Sequence, residues 1–320
     1  MSARLAGDDE VARWQREGWV LLEGLVDPDQ IDRAAEELAG IFPGREPYHA
    51  DPEGETERWL GHPAEHPEPF TWPDEGPGFR PAQHRWTAGF PFAGSGALNR
   101  LVVHPSLVDF AERALGTTDI RLYQSMLTAK YQGLTNYEQP MHQDRNHSWL
   151  PAVGASPWWH LEGFLYLSDV DEGSAPTHLV SVIDSGGRQP DWGLVMPQSD
   201  PDIYGAERAA VGPKGSYLAY RTDVLHRGVD LTAPGAARFL LNVSYKIAGQ
   251  DWIGYHTAQS HATDIEWVTF VEGSTPRELE LFGFPPPGHP IWTATVLDLT
   301  AKRYPGLDLT PWREALVDPD

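Results

Sequence analysis

The apolar positions of this chain change their period near residue 120. Before that point the spacing is helical. Residues 8–18 read as a short helix, followed by the apolar strand Trp19–Leu22. Asp27-Pro28 has the N-cap and first-turn chemistry of a helix start. Ile31, Ala34, Ala35, Leu38 and Ile41 then recur at helical spacing. A further helix over Pro105–Leu115 carries Leu107, Phe110, Ala111, Ala114 and Leu115 on one side, and Gly116 is placed to end it. Between these helices, residues 43–96 are rich in Pro, Gly, His and Trp and have little periodicity. The stretch is too long for a plain connector, so it reads as a structured flap or active-site cover.

From Ile120 the period is two. Strands are expected over 120–131, 139–147, 158–168, 177–183, 215–222, 225–231 and 237–247, separated by Gly-, Pro- and Asp-rich turns. Many short strands with such turns predict a mainly β fold with flanking helices, a jelly roll or double-stranded β-helix. After Gly249 helices and Pro-rich turns return, among them FGFPPPGHP at 282–290. There is no internal repeat and no flexible linker. A single domain over 1–320 is therefore expected, with N-terminal helices and cover over 1–119, a jelly-roll core over 120–249 and C-terminal decoration over 250–320.

Composition narrows the function classes. Apolar residues make up 40% and charged residues 22%, an ordinary globular balance. The 24 Lys and Arg against 46 Asp and Glu give a net charge of -22. Such a field repels nucleic acid and anionic lipid, so the expected partner is a small-molecule substrate, with no nucleic acid and no membrane. Oligomeric state is not addressed by the sequence. Cysteine is absent, which excludes disulfides, thiolate metal sites and cysteine nucleophiles. The N-terminus lacks an apolar stretch of signal-peptide length, and no run approaches a membrane span, so the expected location is the cytoplasm.

The chemistry-bearing signal is a histidine with a carboxylate two residues on. On a strand, residues i and i+2 point to the same side. Two histidines and one carboxylate on one face of a metal leave positions open for a cosubstrate and dioxygen. Four matches occur: His49/Asp51, His66/Glu68, His142/Asp144 and His160/Glu162. The first two lie in the irregular Pro-rich stretch. His160/Glu162 lies in a good strand, WWHLEGFLYL, and reads as a structural pair or a rival metal pair. His142/Asp144 follows a strand and turn with a polar flank suited to a barrel mouth. A second histidine, His226, arrives 84 residues later on a strand near the end of the β region. Twelve residues further, Arg238 opens the strand RFLLNVSY. Arg238, Leu240, Asn242 and Ser244 share one face of it, a polar face natural to a lumen that holds a charged ligand. A guanidinium there can clamp a carboxylate in bidentate fashion.

The segments KYQGLTNYEQPMHQD, EGFLYLSDVDEGSAPTHLVSV, LHRG and ARFLLNVSYK together resemble the phytanoyl-CoA dioxygenase family, a branch of the Fe(II)/2-oxoglutarate oxygenases. The resemblance covers residues 120–250 well and the N-terminal helices loosely. It implies an Fe(II)- and 2-oxoglutarate-dependent dioxygenase that consumes O2, releases succinate and hydroxylates a metabolite or natural-product intermediate. His142, Asp144 and His226 match its iron ligands, and Arg238 matches its 2-oxoglutarate arginine. Gln124 and Lys130 are the candidates for the polar cosubstrate contacts that the family carries on the strand over 120–131. The family often has Ser or Thr shortly after the distal histidine, where this chain has Arg227 and Gly228, so Thr222 and Ser244 stand as substitute anchors. Asn146, Trp149 and Trp158, with Trp159 beside them, are placed to line a substrate entrance, although tryptophans there also serve as packing. Family halogenases replace the carboxylate of the His-x-Asp pair with a small residue. Asp144 therefore implies oxygenation and not halogenation. Two other readings stay open: a jelly-roll binding protein with a structural or degenerate metal site, and a zinc hydrolase built on two histidines and an aspartate.

Overall fold

A computed structural model describes residues 4–60, 86–133, 138–144, 159–188, 194–250 and 265–316. Its elements run α1 (Asp8–Glu17), β1 (Trp19–Leu22), α2 (Pro28–Glu37), α3 (Arg45–Ala50), α4 (Pro52–Leu60), β2 (Thr87–Gly89), α5 (Gly96–Leu101), α6 (Pro105–Leu115) and β3 (Ile120–Tyr131). Then follow β4 (Met141–His142), β5 (His160–Tyr166), β6 (His178–Val180), β7 (Leu194–Val195), α7 (Pro201–Gly205), β8 (Arg208–Ala209), β9 (Tyr217–Arg221), β10 (Leu225–Arg227) and β11 (Ala237–Ile247). The chain continues through α8 (Ile265–Glu272), α9 (Pro276–Glu280), α10 (Ala294–Arg303) and α11 (Thr310–Glu314). The strands form two antiparallel sheets of a jelly roll. The larger has the order β1-β9-β5-β11-β3-β2 and the smaller β7-β4-β10-β6-β8. Helices hold more of the described residues than strands do, so the β core is less dominant than the periodicity suggests.

Alternation along β11 divides the molecule into layers. Leu241, Val243 and Tyr245 point outward into the main apolar cluster, with Trp14, Leu107 and Phe110 of the covering helices. On the other face, Leu240 joins Tyr166, Leu179, Leu218 and Tyr220 in a second cluster between the sheets. The polar residues Arg238, Asn242 and Ser244 therefore face the interior, each no more than 6% exposed. The helix boundaries follow local chemistry. The Asp27 side chain accepts from the Asp29 amide at 2.9 Å ahead of Pro28, and Gly116 ends α6 in the left-handed region at φ 74°.

The stretch expected to be irregular, 43–96, contains α3, α4 and β2 in its described part. Apolar periodicity could not reveal α4, because it buries none of its residues. Its start is set by capping: Asp51 accepts from the Gly54 amide at 3.0 Å, and Pro52 opens the helix. Helix α3 docks through Tyr48, which stacks on Tyr131 at 3.9 Å, with Trp86 edge-on to both.

The smaller sheet is braced on its outer side by ions. Arg227 of β10 grips Glu207 through two bonds of 2.8 and 2.9 Å, and His178 of β6 lies 3.2 Å from the same carboxylate. Burial works against the Glu207 anion, but its bonds to Arg227 and His178 prevail and hold its pKa down, from 4.5 to about 2. A carboxyl with a depressed folded pKa contributes its full stability above its unfolded value and loses it as pH falls through the folded one. Glu207→Gln should therefore flatten the fall in unfolding free energy between pH 4.5 and 2, measured by denaturant titration. An unchanged acid limb would contradict the brace.

Candidate metal centre

Strand pairing builds the site. β4 and β10 are antiparallel neighbours, and His142 is the register partner of His226. Their rings lie 4.4 Å apart. Asp144, two residues beyond His142, brings one carboxylate oxygen 3.7 Å from His142 Nε2 and the other 3.3 Å from His226 Nε2. The candidate ligand atoms of all three residues fall within 4.8 Å of one another, and among the described residues no other group of three does this. The two imidazoles are oriented alike. His142 Nδ1 lies 2.8 Å from the Pro140 carbonyl and His226 Nδ1 lies 3.2 Å from the Val224 carbonyl. Each Nδ1–H is thereby spent on the backbone, which leaves Nε2 as the lone-pair atom aimed at the common point. The donor set, two neutral nitrogens and one carboxylate oxygen, fits a divalent first-row metal with open positions. Asp144 is the more exposed of the three, so the site opens on its side.

Tyr220 of β9 completes the surround. Its hydroxyl donates to Asp144 Oδ2 at 3.3 Å, and its ring lies 4.7 Å from that of His226. Burial, followed by the Asp144 and Glu162 carboxylates, pushes the Tyr220 phenol far up, so it remains a donor. At His226, burial works against the imidazolium, but Asp144, the Val224 carbonyl and Glu162 together raise the pKa.

Arg238 lies buried in the interior, where its guanidinium donates to the Ala175 carbonyl. Ala175 holds a left-handed backbone at φ 57°, a conformation that costs energy in a non-glycine residue and here presents its carbonyl to the arginine. Lys130 is the register partner of Arg238. Burial, and then the neighbouring Arg238, depress the Lys130 pKa far below the usual range, partly offset by Asp230. Lys130 and Arg238 thus lie side by side in a buried place, within the influence of the Asp230 carboxylate.

The other expected anchors are not brought together with Arg238. Ser244 is six positions further along β11, about 20 Å at ~3.3 Å per residue, and Gln124 is its partner across the ladder. Thr222 contacts His160, and His160 pairs with Lys246, further still from Arg238. A five-carbon diacid cannot span from Arg238 to any of these. Lys130 alone of that set shares the arginine's end. Arg227 cannot stand in for the Ser or Thr of the family pattern, because it follows His226 on the strand and so points to the outer face.

The rival pairs resolve structurally. His49 sits on a helix and contacts the Ala236 carbonyl at 3.0 Å, while Asp51 caps α4. His160 and Glu162 face the interior but do not join the triad. Glu162 accepts from the hydroxyls of Tyr123 and Ser244, which periodicity did not anticipate. The signal was a break in register: Ser244 pairs with Gln124 but Tyr245 with Leu122, so Tyr123 is the extra residue of a β-bulge. Trp159 packs edge-on to Trp14 at 5.9 Å, with the Arg221 guanidinium 4.5 Å over its ring. It is a packing residue. His66, Glu68, Asn146, Trp149 and Trp158 lie outside the described residues.

No helix among the described residues is long and apolar enough to cross a membrane. No protein-family model and no curated protein matches the chain. Solved structures do. The non-haem alpha-ketoglutarate-dependent carbocyclase SnoK from nogalamycin biosynthesis is 17% identical, covering 82% of this chain and 92% of its own, with a TM-score of 0.54. EctD from S. alaskensis, with 2-oxoglutarate and 5-hydroxyectoine, is 16% identical over 77% of each chain, with a TM-score of 0.53. The epimerase SnoN, in complex with Fe3+, alpha-ketoglutarate and nogalamycin RO, is 17% identical over 78% of this chain and 87% of its own, with a TM-score of 0.51. At these identities the likeness establishes a shared fold: this chain has the jelly roll on which those non-haem iron enzymes are built.

Proposed function

We propose that the chain is a non-haem Fe(II)/2-oxoglutarate-dependent oxygenase of the phytanoyl-CoA dioxygenase-like branch. The observation that carries this reading is the register pair His142–His226 with Asp144 converging on it, both Nε2 atoms freed by backbone carbonyls at Nδ1. His142, Asp144 and His226 would hold the iron, and Arg238 with Lys130 would bind the distal carboxylate of 2-oxoglutarate. The nature of the solved neighbours supports both cofactors. Iron with 2-oxoglutarate and O2 supplies the oxidising power, with succinate and CO2 as coproducts.

The chain's own residues supply placement. The backbone carbonyls of Pro140 and Val224 fix the imidazole tautomers, and Tyr220 steadies the Asp144 carboxylate. The Arg238 guanidinium would give the cosubstrate one orientation, because a charge-assisted bidentate contact tolerates little rotation. The zinc-hydrolase reading gives Arg238 and Lys130 no task. Hydroxylation of a small molecule is the proposed outcome. With iron bound, the Asp144 carboxylate would serve as the third protein ligand in place of a halide.

Oxygen uptake coupled to succinate release tests the reading. Asp144→Gly should lower succinate formation by on the order of 100-fold or more and weaken metal binding, since two histidines alone retain a metal poorly. Turnover at the wild-type rate would show that Asp144 is no ligand. Arg238→Ala should raise the 2-oxoglutarate KM by about 10- to 150-fold, the loss of one hydrogen bond to a charged group, with metal affinity little changed. A wild-type KM would remove Arg238 from the cosubstrate site. An acyl-CoA should be turned over no faster than the matched free acid or amine, because the net charge of -22 opposes a polyphosphate carrier. Faster acyl-CoA turnover in a side-by-side assay would contradict this.

A further inference from the structure

The part of the interior that faces the triad away from Arg238 holds groups that iron and 2-oxoglutarate leave unused. Glu162 is only 1% exposed. The Tyr123 hydroxyl donates to one of its oxygens, and the Ser244 hydroxyl donates to the other at 2.6 Å. The register partner of Glu162 is Tyr220, which touches both Asp144 and His226, so a single residue stands between the carboxylate's strand and the metal ligands of the other sheet. On the other side of Ser244, Gln124 is its partner across the ladder. Gln124 is 6% exposed, and its amide oxygen has no hydrogen-bond partner among the described residues. A buried acceptor left unmet is costly and calls for an explanation. A donor that arrives with a ligand provides one.

The charges of the interior are polarised along the same axis. At one end Arg238 and Lys130 lie side by side. At the other, Glu162 and Asp144 act as negative charges on the buried Tyr123 and Tyr220 phenols, which burial already pushes up and which therefore stay protonated.

We infer that Glu162 and Gln124, with Tyr123 and Ser244 holding the carboxylate in place, form the substrate-recognition site, and that the group they take is a protonated amine. An ammonium offers three donors and no acceptor, which suits two acceptors that stand on either side of Ser244, on the strands that flank β11. Its bond to Glu162 is charge-assisted, about twice as strong as one from a neutral hydroxyl. A carboxylate or phosphate would meet Glu162 with like charge. The acidic field of the whole chain draws cations toward the opening. Calling the amine-bearing molecule a substrate rests on the oxygenase reading; the binding preference itself does not.

The test uses the full chain, loaded with Zn(II) and 2-oxoglutarate so that no turnover occurs. Benzylamine, benzyl alcohol and benzoate, matched in shape and differing in charge, are titrated by calorimetry and ligand-observed NMR. Wild type should bind benzylamine at least tenfold more tightly than the other two. Glu162→Gln, which keeps the shape of the side chain, should remove that preference while Zn(II) and 2-oxoglutarate bind as before. Gln124→Met, which leaves the carboxylate untouched, should weaken benzylamine several-fold and serves if Glu162→Gln does not fold. Equal binding of the three probes by wild type, or full benzylamine affinity in the variants, would overturn the proposal. Failure of 2-oxoglutarate to bind wild type would sink the oxygenase reading instead, and the amine preference is then scored on the same protein without it.

Discussion

The antiparallel pairing of β4 with β10 is the constraint on which the rest depends. Each strand is short, and neither is a strong local structure by itself. Their register sets His142 against His226, and the period of two then delivers Asp144 to the same side. A slip of either strand by one residue would turn its histidine outward and bring Gln143 or Arg227 in. The outer brace of Arg227, Glu207 and His178 opposes such a slip on the β10 side, because Arg227 sits on the reverse face of the strand that carries His226 and is tied to Glu207 beside His178 of β6. Met141, beside His142, is pinned as well: its amide donates to the Tyr204 hydroxyl at 2.9 Å.

The larger sheet gives that metal point an axis. β3 and β11 run the length of the interior and present Lys130 and Arg238 at one end and the Gln124 amide and Ser244 hydroxyl at the other, where Glu162 of β5 meets them. A diacid and a donor-bearing substrate would thus approach the metal from opposite sides without exchanging places. The bulge at Tyr123 matters here because it turns a residue that strict alternation would send outward toward Glu162.

Much of this was legible in the residues. The bounds of β3, β11, α6 and β1 follow from the apolar period and from Gly and Pro punctuation, and His142, Asp144, His226 and Arg238 are separable from their rivals by strand context. What could not be read has physical reasons. Helix α4 buries nothing, so it leaves no stripe. Position along a lumen is not encoded in face: Gln124, Lys130, Ser244 and Arg238 share a side, yet Lys130 lies with Arg238 at one end and Gln124 with Ser244 at the other. The partners of Glu162 depend on a break in register between two strands separated by more than a hundred residues. Sequence alone leaves Trp159 open between entrance and packing, and its neighbours in space, Trp14 and Arg221, make it a packing residue.

The central claim is that one metal at the triad and one 2-oxoglutarate at Arg238 occupy the same interior together. Anaerobic addition of 2-oxoglutarate to the Fe(II)-loaded chain measures this directly, because chelation of Fe(II) by a 2-oxo acid produces a visible charge-transfer band. The account predicts a band that saturates at one 2-oxoglutarate per chain and is lost when oxygen is admitted and succinate appears. Stoichiometric Fe(II) binding with no band at saturating 2-oxoglutarate would contradict it.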